Sequence, residues 1–302
     1  MIVAGGVCFA GALAVAAIAP VWWILLLGFS LLYPASGAFV SLSQASLMDL
    51  QPEWREHNMA RWTFAGAVGA VVGPLLLGAF AWAGFGWRVL LVGFALAAFA
   101  LALVVRRSAD HDGRQDAPRL REALRALGRR EVLRWLLLVE LADLLLDVLL
   151  GFLALYFVDD AGASVTTGGL AVAVWTGAGL LGSAVMIPLL RRVDGLRYLR
   201  VSAALAAVLF AAFLLAPGVG PKLMLVAALA FVNAGWYPVL QARLYESLGG
   251  SSSLVLTVGA LFPLNAALPL AIAAAAGRWG LGVALWPLLA APAALLVLVP
   301  RR

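Results

Sequence analysis

A long apolar segment from Leu133 to Val158 reads LRWLLLVELADLLLDVLLGFLALYFV and gives the clearest indication of the fold. It is long enough to cross a bilayer, because a transmembrane helix needs about 20 mostly apolar residues. Three acids, Glu140, Asp143 and Asp147, interrupt it at spacings of three and four residues. At about 100° per residue, their carboxyl groups fall within about 60° of one another on one helix face. The stretch therefore predicts a membrane helix with an acidic stripe.

An acidic stripe inside a membrane has to avoid lipid. A carboxylate at mid-bilayer costs roughly 2.5 to 3.5 kcal/mol, so three ionised carboxylates facing lipid would cost about 8 to 10 kcal/mol. The stripe therefore faces protein or water, and we expect it to handle protons or cations. In the alternative interpretation, protonated carboxyl groups form hydrogen bonds to other helices and have no role in transport.

The composition is that of an integral membrane protein. Hydrophobic residues make up 64% of the chain and charged residues 12%, and the mean hydropathy is +1.02; soluble proteins are about half apolar and one quarter charged. Apolar windows of about 18 or more residues predict an all-α polytopic bundle with about ten transmembrane helices, without the alternation of a membrane barrel. The predicted spans are residues 2–19, 21–48, 63–83, 88–105, 133–158, 166–190, 198–216, 222–242, 254–276 and 279–299.

The net charge of +6 follows the membrane topology and does not indicate nucleic-acid binding. If residue 1 is cytoplasmic, only Arg88, Lys222 and Arg278 of the 21 basic residues fall outside. This asymmetry predicts a multi-pass protein of the plasma (inner) membrane with both termini in the cytoplasm.

Few residues offer metal, redox or enzymatic chemistry. Cys8 is the single cysteine, and the two histidines, His57 and His111, fall in polar loops, where we expect them to be solvated. The sequence contains no nucleotide-binding loop, metal-ligand spacing or nucleophile elbow. It predicts no cofactor, no metal and no enzyme activity.

One long connection divides the chain. Residues 1–105 hold four predicted spans, residues 106–132 form a basic cytoplasmic linker, and residues 133–302 hold six spans. The second part of the linker carries Leu120, Leu124 and Leu127 among arginines, which suits a short helix on the anionic cytoplasmic leaflet. A solvated loop is the alternative.

The span 63–83 has a face of small residues. Small side chains let a second helix approach closely, and a proline inside a membrane helix favours a kink. We therefore expect helix packing and a kink at Gly66, Gly69, Gly73, Pro74 and Gly78.

Four spans, a long basic loop and six further spans resemble the major facilitator superfamily of secondary transporters, whose members have two six-helix halves. The stretch from Gly66 to Gly78 resembles the family's Gly-Pro antiporter motif, although a single Gly78 stands where the family has a glycine pair. The resemblance implies that the first two helices of the N-terminal half are missing, through truncation or in a reduced variant.

A second resemblance lies in the turn RRVDGLR, from Arg191 to Arg197. It is similar to a degenerate Asp-x-x-Gly-Arg loop, which in the family latches neighbouring helices on the cytoplasmic side. The resemblance implies a latch at Arg191, Arg192, Asp194, Gly195 and Arg197. A tight turn with topogenic arginines is the alternative.

A further pair of charges flanks the turn after span 21–48. Asp49 and Arg61 could pair there to hold one arrangement of the halves, although an exposed pair contributes little.

The resemblance also implies where a solute binds. In this family the first and fourth helices of each half line a central cavity, which places spans 21–48, 133–158 and 222–242 on the substrate path. Besides the acids, these spans carry polar and aromatic candidates for the cavity: Tyr33, Gln44, Asn233, Trp236, Tyr237 and Gln241.

The sequence therefore predicts a secondary active transporter of a small solute that is coupled to protons, with symport and antiport both open and drug or metabolite export as one option. Its partners are the lipid bilayer, the solute and protons, and we expect a monomer. One alternative is the ten-helix drug/metabolite transporter group, which the position of the long loop after the fourth span disfavours. Another is a non-transporting membrane subunit.

Overall fold

A computed structural model of the chain describes residues 2–108, 120–249, 254 and 264–300, which contain helices and no strand. Before the long connection the helices are α1 (Ile2–Ile18), α2 (Trp22–Ser36), α3 (Leu42–Leu50), α4 (Arg55–Trp82) and α5 (Trp87–Ser108). After it they are α6 (Leu120–Leu127), α7 (Arg130–Asp143), α8 (Leu149–Asp159), α9 (Val165–Leu189), α10 (Gly195–Leu215), α11 (Val219–Asn233), α12 (Trp236–Ser247), α13 (Leu264–Trp279), α14 (Leu281–Ala284) and α15 (Ala290–Leu298).

Two long spans are continuous helices that contain a π-helical turn. The turn Gly37–Ser41 joins α2 to α3, and the turn Leu144–Val148 joins α7 to α8. A π turn widens the helix locally, and such turns occur frequently at functional sites. Both turns lie in spans that the sequence assigns to the substrate path.

Seven helical segments in the described ranges, three of them made of consecutive helices, are long and apolar enough to cross a membrane: Trp22–Met48, Arg55–Trp82, Trp87–Arg107, Val165–Leu189, Gly195–Leu215, Val219–Ser247 and Leu281–Leu298. The predicted span 2–19 corresponds to α1, which has 17 residues. The span 133–158 corresponds to α7 and α8, which carry the acids, and the first part of the span 254–276 falls outside the described residues. The prediction of an all-α, multi-pass membrane protein is confirmed.

One predicted boundary is displaced, with a consequence for His57. The helix predicted over 63–83 begins at Arg55, directly after a 3₁₀ turn that starts with Pro52. Proline favours the first turn of a helix because its fixed φ suits helix initiation. His57 therefore lies in the first turn of α4 and is 6% exposed, so the prediction of a solvated loop histidine is wrong. His111 lies outside the described residues.

A buried hydrophobic cluster lies mostly among the helices that follow residue 130. Its aromatic centre contains Tyr156, Phe157, Phe210 and Phe213, whose rings contact one another at centroid distances of 4.9 to 6.2 Å. Helix α9 packs against both α11 and α4, and α7 packs against α12. Thus α4, from the first part of the chain, contacts the helices of the second part.

The short helix predicted in the linker is present as α6. Ala123 and Ala126 are buried, whereas the side chain of Leu124 is 54% exposed and Arg125 is exposed beside it. The helix therefore presents its alanines to the protein and Leu124 outward. Contact of this outward side with the leaflet stays a prediction.

Candidate functional site

The acidic stripe grades from buried to exposed along the helix. Glu140 is 8% exposed near the end of α7, Asp143 is half-buried at its last position, and Asp147 is exposed within the π turn. The Asp143 carboxyl group interacts electrostatically with the carboxyl groups of both Asp147 and Glu140. The exposure of the acids thus increases along the helix, from the buried Glu140 to the exposed Asp147.

A cleft opens beside the exposed end of the stripe. It has a volume of about 290 Å³ and is lined by Asp147, Val148, Gly151, Phe152 and Pro269. Pro269 belongs to α13, so the cleft lies between that helix and the α7–α8 span. One carboxylate among apolar walls is a lining suited to a small amphipathic solute.

Neither Asp143 nor Asp147 is paired with a basic side chain among the residues that the structure describes, where the salt bridges join Arg243 to Glu56 and to Glu246. The same residues contain no group of three or more histidine, cysteine or acidic side chains that could hold a metal ion. An unpaired membrane carboxylate is more stable when protonated or beside a cationic ligand. These two acids are therefore chemically suited to bind a proton or an organic cation.

The span after Lys222 is broken in the middle. Helix α11 ends at Asn233 and α12 begins at Trp236, with Ala234 and Gly235 between them. Tyr198 of α10 occupies the break: its hydroxyl donates to the carbonyl of Val232 and accepts from the amide of Gly235 at 3.2 Å. Discontinuous membrane helices often supply transporter binding sites.

Two predicted cavity residues contact each other across the sequence. The Gln44 amide donates to the Tyr237 hydroxyl at 3.2 Å and contacts the Met59 sulfur at 3.6 Å. Tyr237 is also within electrostatic range of Asp143 and Asp147. We call Gln44, Asp143, Asp147 and Tyr237 the central site. It joins α3, the α7–α8 span and α12.

The other predicted cavity residues have different surroundings. Asn233 is 1% exposed and its side-chain nitrogen has no hydrogen-bond partner among the described groups, while Gln241 is 9% exposed on the same helix face as Tyr237. Trp236 is fully buried and donates to the Ser202 hydroxyl at 2.9 Å, which places it in the bundle core. Tyr33 is 85% exposed. The structure does not bring Trp236 or Tyr33 to the central site.

The predicted packing face of α4 has no close neighbour among the residues that the structure describes. A Cβ atom placed on Gly66, Gly69, Gly73 or Gly78 would meet no described atom within 4 Å, and Pro74 lies inside the helix. Gly182 on α9 contrasts with them, because a Cβ there would lie 2.7 Å from the carbonyl oxygen of Phe231. The packing role of the α4 glycines stays a prediction.

A second cluster lies where α4, α9, α10 and α12 meet at one end of the bundle. We call this end the basic face; its arginines include Arg55, Arg191, Arg192, Arg197 and Arg243. Glu56 of α4 forms a salt bridge with Arg243 of α12 at 2.8 Å. The Glu56 carboxylate also lies against Gly195, at a spot that any Cβ would fill. Gly195 is the first residue of α10, and a helix N-terminus attracts negative charge.

The predicted latch residues play different parts at this face. Asp194 caps α10 by accepting from the Arg197 amide at 3.0 Å, and Gly195 makes room for Glu56. Arg191, Arg192 and Arg61 are all exposed, and of these Arg191 contacts His57 at 3.2 Å. The side chain of Asp49 lies outside the described residues, so its pairing with Arg61 stays a prediction.

Lys222 is a residue that the sequence analysis assigned only to an outer loop end. It is 6% exposed and donates to the Tyr156 hydroxyl at 2.6 Å and to the carbonyl of Phe213 at 2.8 Å. Its ammonium also lies 5.2 Å from the Phe213 ring centroid. Lys222 thus ties the ends of α8, α10 and α11 together on the side opposite the basic face.

The sequence analysis did not predict the contacts of four charged or titratable residues: Glu56, His57, Lys222 and Arg243. Each lies within a turn of a helix end, where a charged residue is ordinary in a membrane protein. Their partners are distant in sequence, and residue spacing carries no signal for such contacts.

The comparisons with known proteins agree with this architecture. The sequence profile of the Major Facilitator Superfamily matches residues 1–287. The chain belongs to the major facilitator superfamily. This assignment excludes the drug/metabolite group, the alternative family considered from the sequence. No curated protein matches the sequence at a significant level.

Solved structures of family members share the fold at low identity. The E. coli fucose:proton symporter FucP is 15% identical, with a TM-score of 0.69, and the match covers 98% of this chain and 83% of that chain. The human organic anion transporter MFSD10 is 17% identical, with a TM-score of 0.65, and the match covers 99% of this chain and 76% of that chain. A bacterial homologue of the iron transporter ferroportin, in an outward-facing state, is 19% identical, with a TM-score of 0.65, and the match covers 99% of this chain and 83% of that chain.

Proposed function

We propose that this protein is a secondary active transporter that exchanges or co-transports a small solute with protons. The observation that carries the proposal is the central site, where Asp143 and Asp147 have no basic partner among the described residues and lie within electrostatic range of Tyr237. Membership of a transporter family supports this proposal, and one structural neighbour, FucP, is a fucose:proton symporter.

The proposed architecture follows the sequence division. Residues 1–105 and 133–302 act as two bundles joined by the linker 106–132, with the basic face and both termini in the cytoplasm of a plasma (inner) membrane protein. Three side chains of the first part contact the second part across this division: Gln44 of α3, and Glu56 and His57 of α4. In this proposal these contacts form the interface between the two bundles.

The proposed mechanism couples protonation to the arrangement of these bundles. Protonation of Asp143 and Asp147 removes their mutual repulsion and lowers the cost of closing a low-dielectric environment around them. A proton and a solute can then bias the same pair of conformations, which is the requirement for coupling.

The substrate class follows from the lining of the cleft beside Asp147. Phe152 and Pro269 offer apolar contact and Asp147 offers a negative charge, which together favour an amphipathic organic cation. We therefore propose small amines as the first compounds to screen, with export as the direction.

Proteoliposomes loaded with a pH-sensitive dye test the proposal. A transported solute moves protons in the wild type, and Asp143→Asn or Glu140→Gln abolishes that signal while the protein still inserts. Asp159→Asn is the matched control, since Asp159 is an exposed acid at the end of α8, and it keeps the signal.

Undiminished flux in both Asp143→Asn and Glu140→Gln rejects the coupling role of the stripe. Purification with a stoichiometric protein partner, together with no flux of any solute, favours the non-transporting subunit considered from the sequence.

A further inference from the structure

His57 joins the two parts of the chain through both nitrogens of its ring. Nδ1 lies 3.0 Å from the carbonyl oxygen of Ile187, and Nε2 lies 3.2 Å from Nη2 of Arg191. His57 belongs to α4, whereas Ile187 and Arg191 belong to the end of α9 and the turn after it. His57 is 6% exposed and the Trp54 ring lies 5.9 Å from the imidazole, whereas Arg191 is exposed, so the contact lies at the edge of the protein surface.

The two partners determine the proton count of the imidazole. A carbonyl oxygen only accepts hydrogen bonds, so Nδ1 carries the hydrogen and donates to Ile187. A guanidinium only donates, so Nε2 carries the lone pair and accepts from Arg191. This arrangement is possible only for neutral His57.

Protonation of His57 removes this contact. A hydrogen on Nε2 would replace the acceptor by a second donor and would place two positive charges at hydrogen-bonding distance. The surrounding groups do not compensate, because the charged side chains that act on His57 among the described residues are Arg191 and Arg61, both cationic. Glu56, the adjacent acid, is held by Arg243 and by the start of α10. The side chain of Asp49 lies outside the described residues.

We propose that His57 and Arg191 form a proton-sensitive contact that holds the two halves together at the basic face and is released by acid on that side of the membrane. Histidine is the side chain whose charge changes in the pH range of a living cell. Acidification therefore favours the conformation in which the basic face is open, since only there can a charged His57 move away from Arg191.

This contact is distinct from the acids that we propose to carry protons. The central site couples protons to the solute, whereas His57 reports the pH at one face and changes the ratio of open to closed protein. The inference therefore needs no transported solute for its test, and it can fail while the proposed transport function stands.

The experiment measures a distance across the basic face in the full chain. Nitroxide labels at Glu53→Cys and Arg130→Cys, in a Cys8→Ala background, place one label just before α4 and the other on the first residue of α7, which leads into the second bundle; both positions are exposed. Pulsed electron resonance on protein in lipid nanodiscs then gives the ratio of long to short distances. We expect this ratio to rise about tenfold between about pH 7.5 and about pH 5.5.

The matched control uses the other histidine of the chain. His57→Gln removes the response because glutamine does not titrate in this range, while His111→Gln keeps it. Arg191→Gln, which leaves His57 in place and removes the facing charge, reduces the change to less than about twofold. Asp159→Asn, at an exposed acid at the end of α8, keeps the full response.

The inference is overturned if the wild type shows no pH-dependent change, or if His57→Gln changes as much as the wild type. If His57→Gln fails to insert, the Arg191→Gln variant decides, and a full response there rejects the contact as the sensor.

Discussion

Removal of the Arg243 guanidinium tests how strongly the basic face is closed. The salt bridge from Arg243 to Glu56 spans 2.8 Å, and the two side chains are 18% and 22% exposed. At an effective dielectric constant of about 20 the gross attraction at that distance is about 6 kcal/mol. Desolvation offsets most of it: breaking a fully buried pair costs about 3 to 5 kcal/mol, and exposed pairs contribute at most about 1 kcal/mol.

An intermediate value of about 2 kcal/mol fits this partly exposed pair. If the bridge exists only when the basic face is closed, Arg243→Gln raises the open population about 30-fold, because each 1.4 kcal/mol is a factor of about ten. In Arg243→Gln the N-terminus of α10 still attracts the unpaired Glu56 carboxylate. The increase in the open population is therefore smaller than it would be for a fully buried ion pair.

The reactivity of a buried cysteine measures this population. Met59 is fully buried and packs with the core of the second part of the chain. In a Cys8→Ala, Met59→Cys background, an impermeant maleimide applied to the basic face of inside-out vesicles labels only open protein. Arg243→Gln is expected to accelerate labelling about 30-fold.

The control for this measurement removes a weaker partner of the same arginine. Glu246 also pairs with Arg243, at 3.2 Å, but its side chain is 58% exposed. Glu246→Gln is therefore expected to change the labelling rate less than about threefold. If Arg243→Gln labels no faster than Glu246→Gln, the Glu56 bridge does not hold the basic face closed and the reasoning is wrong.

Two further predictions concern stability, measured as the thermal midpoint of purified protein in detergent. Gly182→Val destabilises the protein by at least about 2 kcal/mol, because its Cβ would overlap a backbone carbonyl, whereas Gly177→Val, at an open position, has little effect; equal midpoints would contradict the close packing of α9 on α11. Lys222→Met costs about 2 to 3 kcal/mol, because it leaves the buried Tyr156 hydroxyl without its partner. Arg278→Met, at an exposed residue, is the control, and a similar small change in both variants would show that the Lys222 contacts contribute nothing.

Much of the fold was predictable from local sequence. Apolar windows located the membrane helices, and the charge asymmetry assigned the basic loops to one side. Helix ends were less predictable: α4 begins eight residues before its predicted span, because the amphipathic turn around His57 is helical without being apolar. The break between α11 and α12 was not predicted either. The hydroxyl that bonds the backbone at the break belongs to Tyr198, which lies on a different helix, α10.

The candidate site was predictable in part. The spacing of Glu140, Asp143 and Asp147 placed them on one face of a helix, and the structure adds the π turn and the graded exposure that distinguish them. Tyr237 and Gln44 could be nominated as polar residues in apolar spans. Their mutual contact could not be predicted, because 193 positions separate them in the chain.

The order of residues was enough to identify a multi-pass helical membrane protein of the major facilitator type, with acids in the span from Leu133 to Val158. Hydropathy and helical periodicity are local properties, and in lipid they leave few alternatives to a helix. The contacts of Glu56 with Arg243 and of His57 with Arg191, and the burial of Lys222, emerged from the packed helices alone. These contacts depend on how whole helices pack, and the free energy of packing depends on shape and distance between segments far apart in sequence.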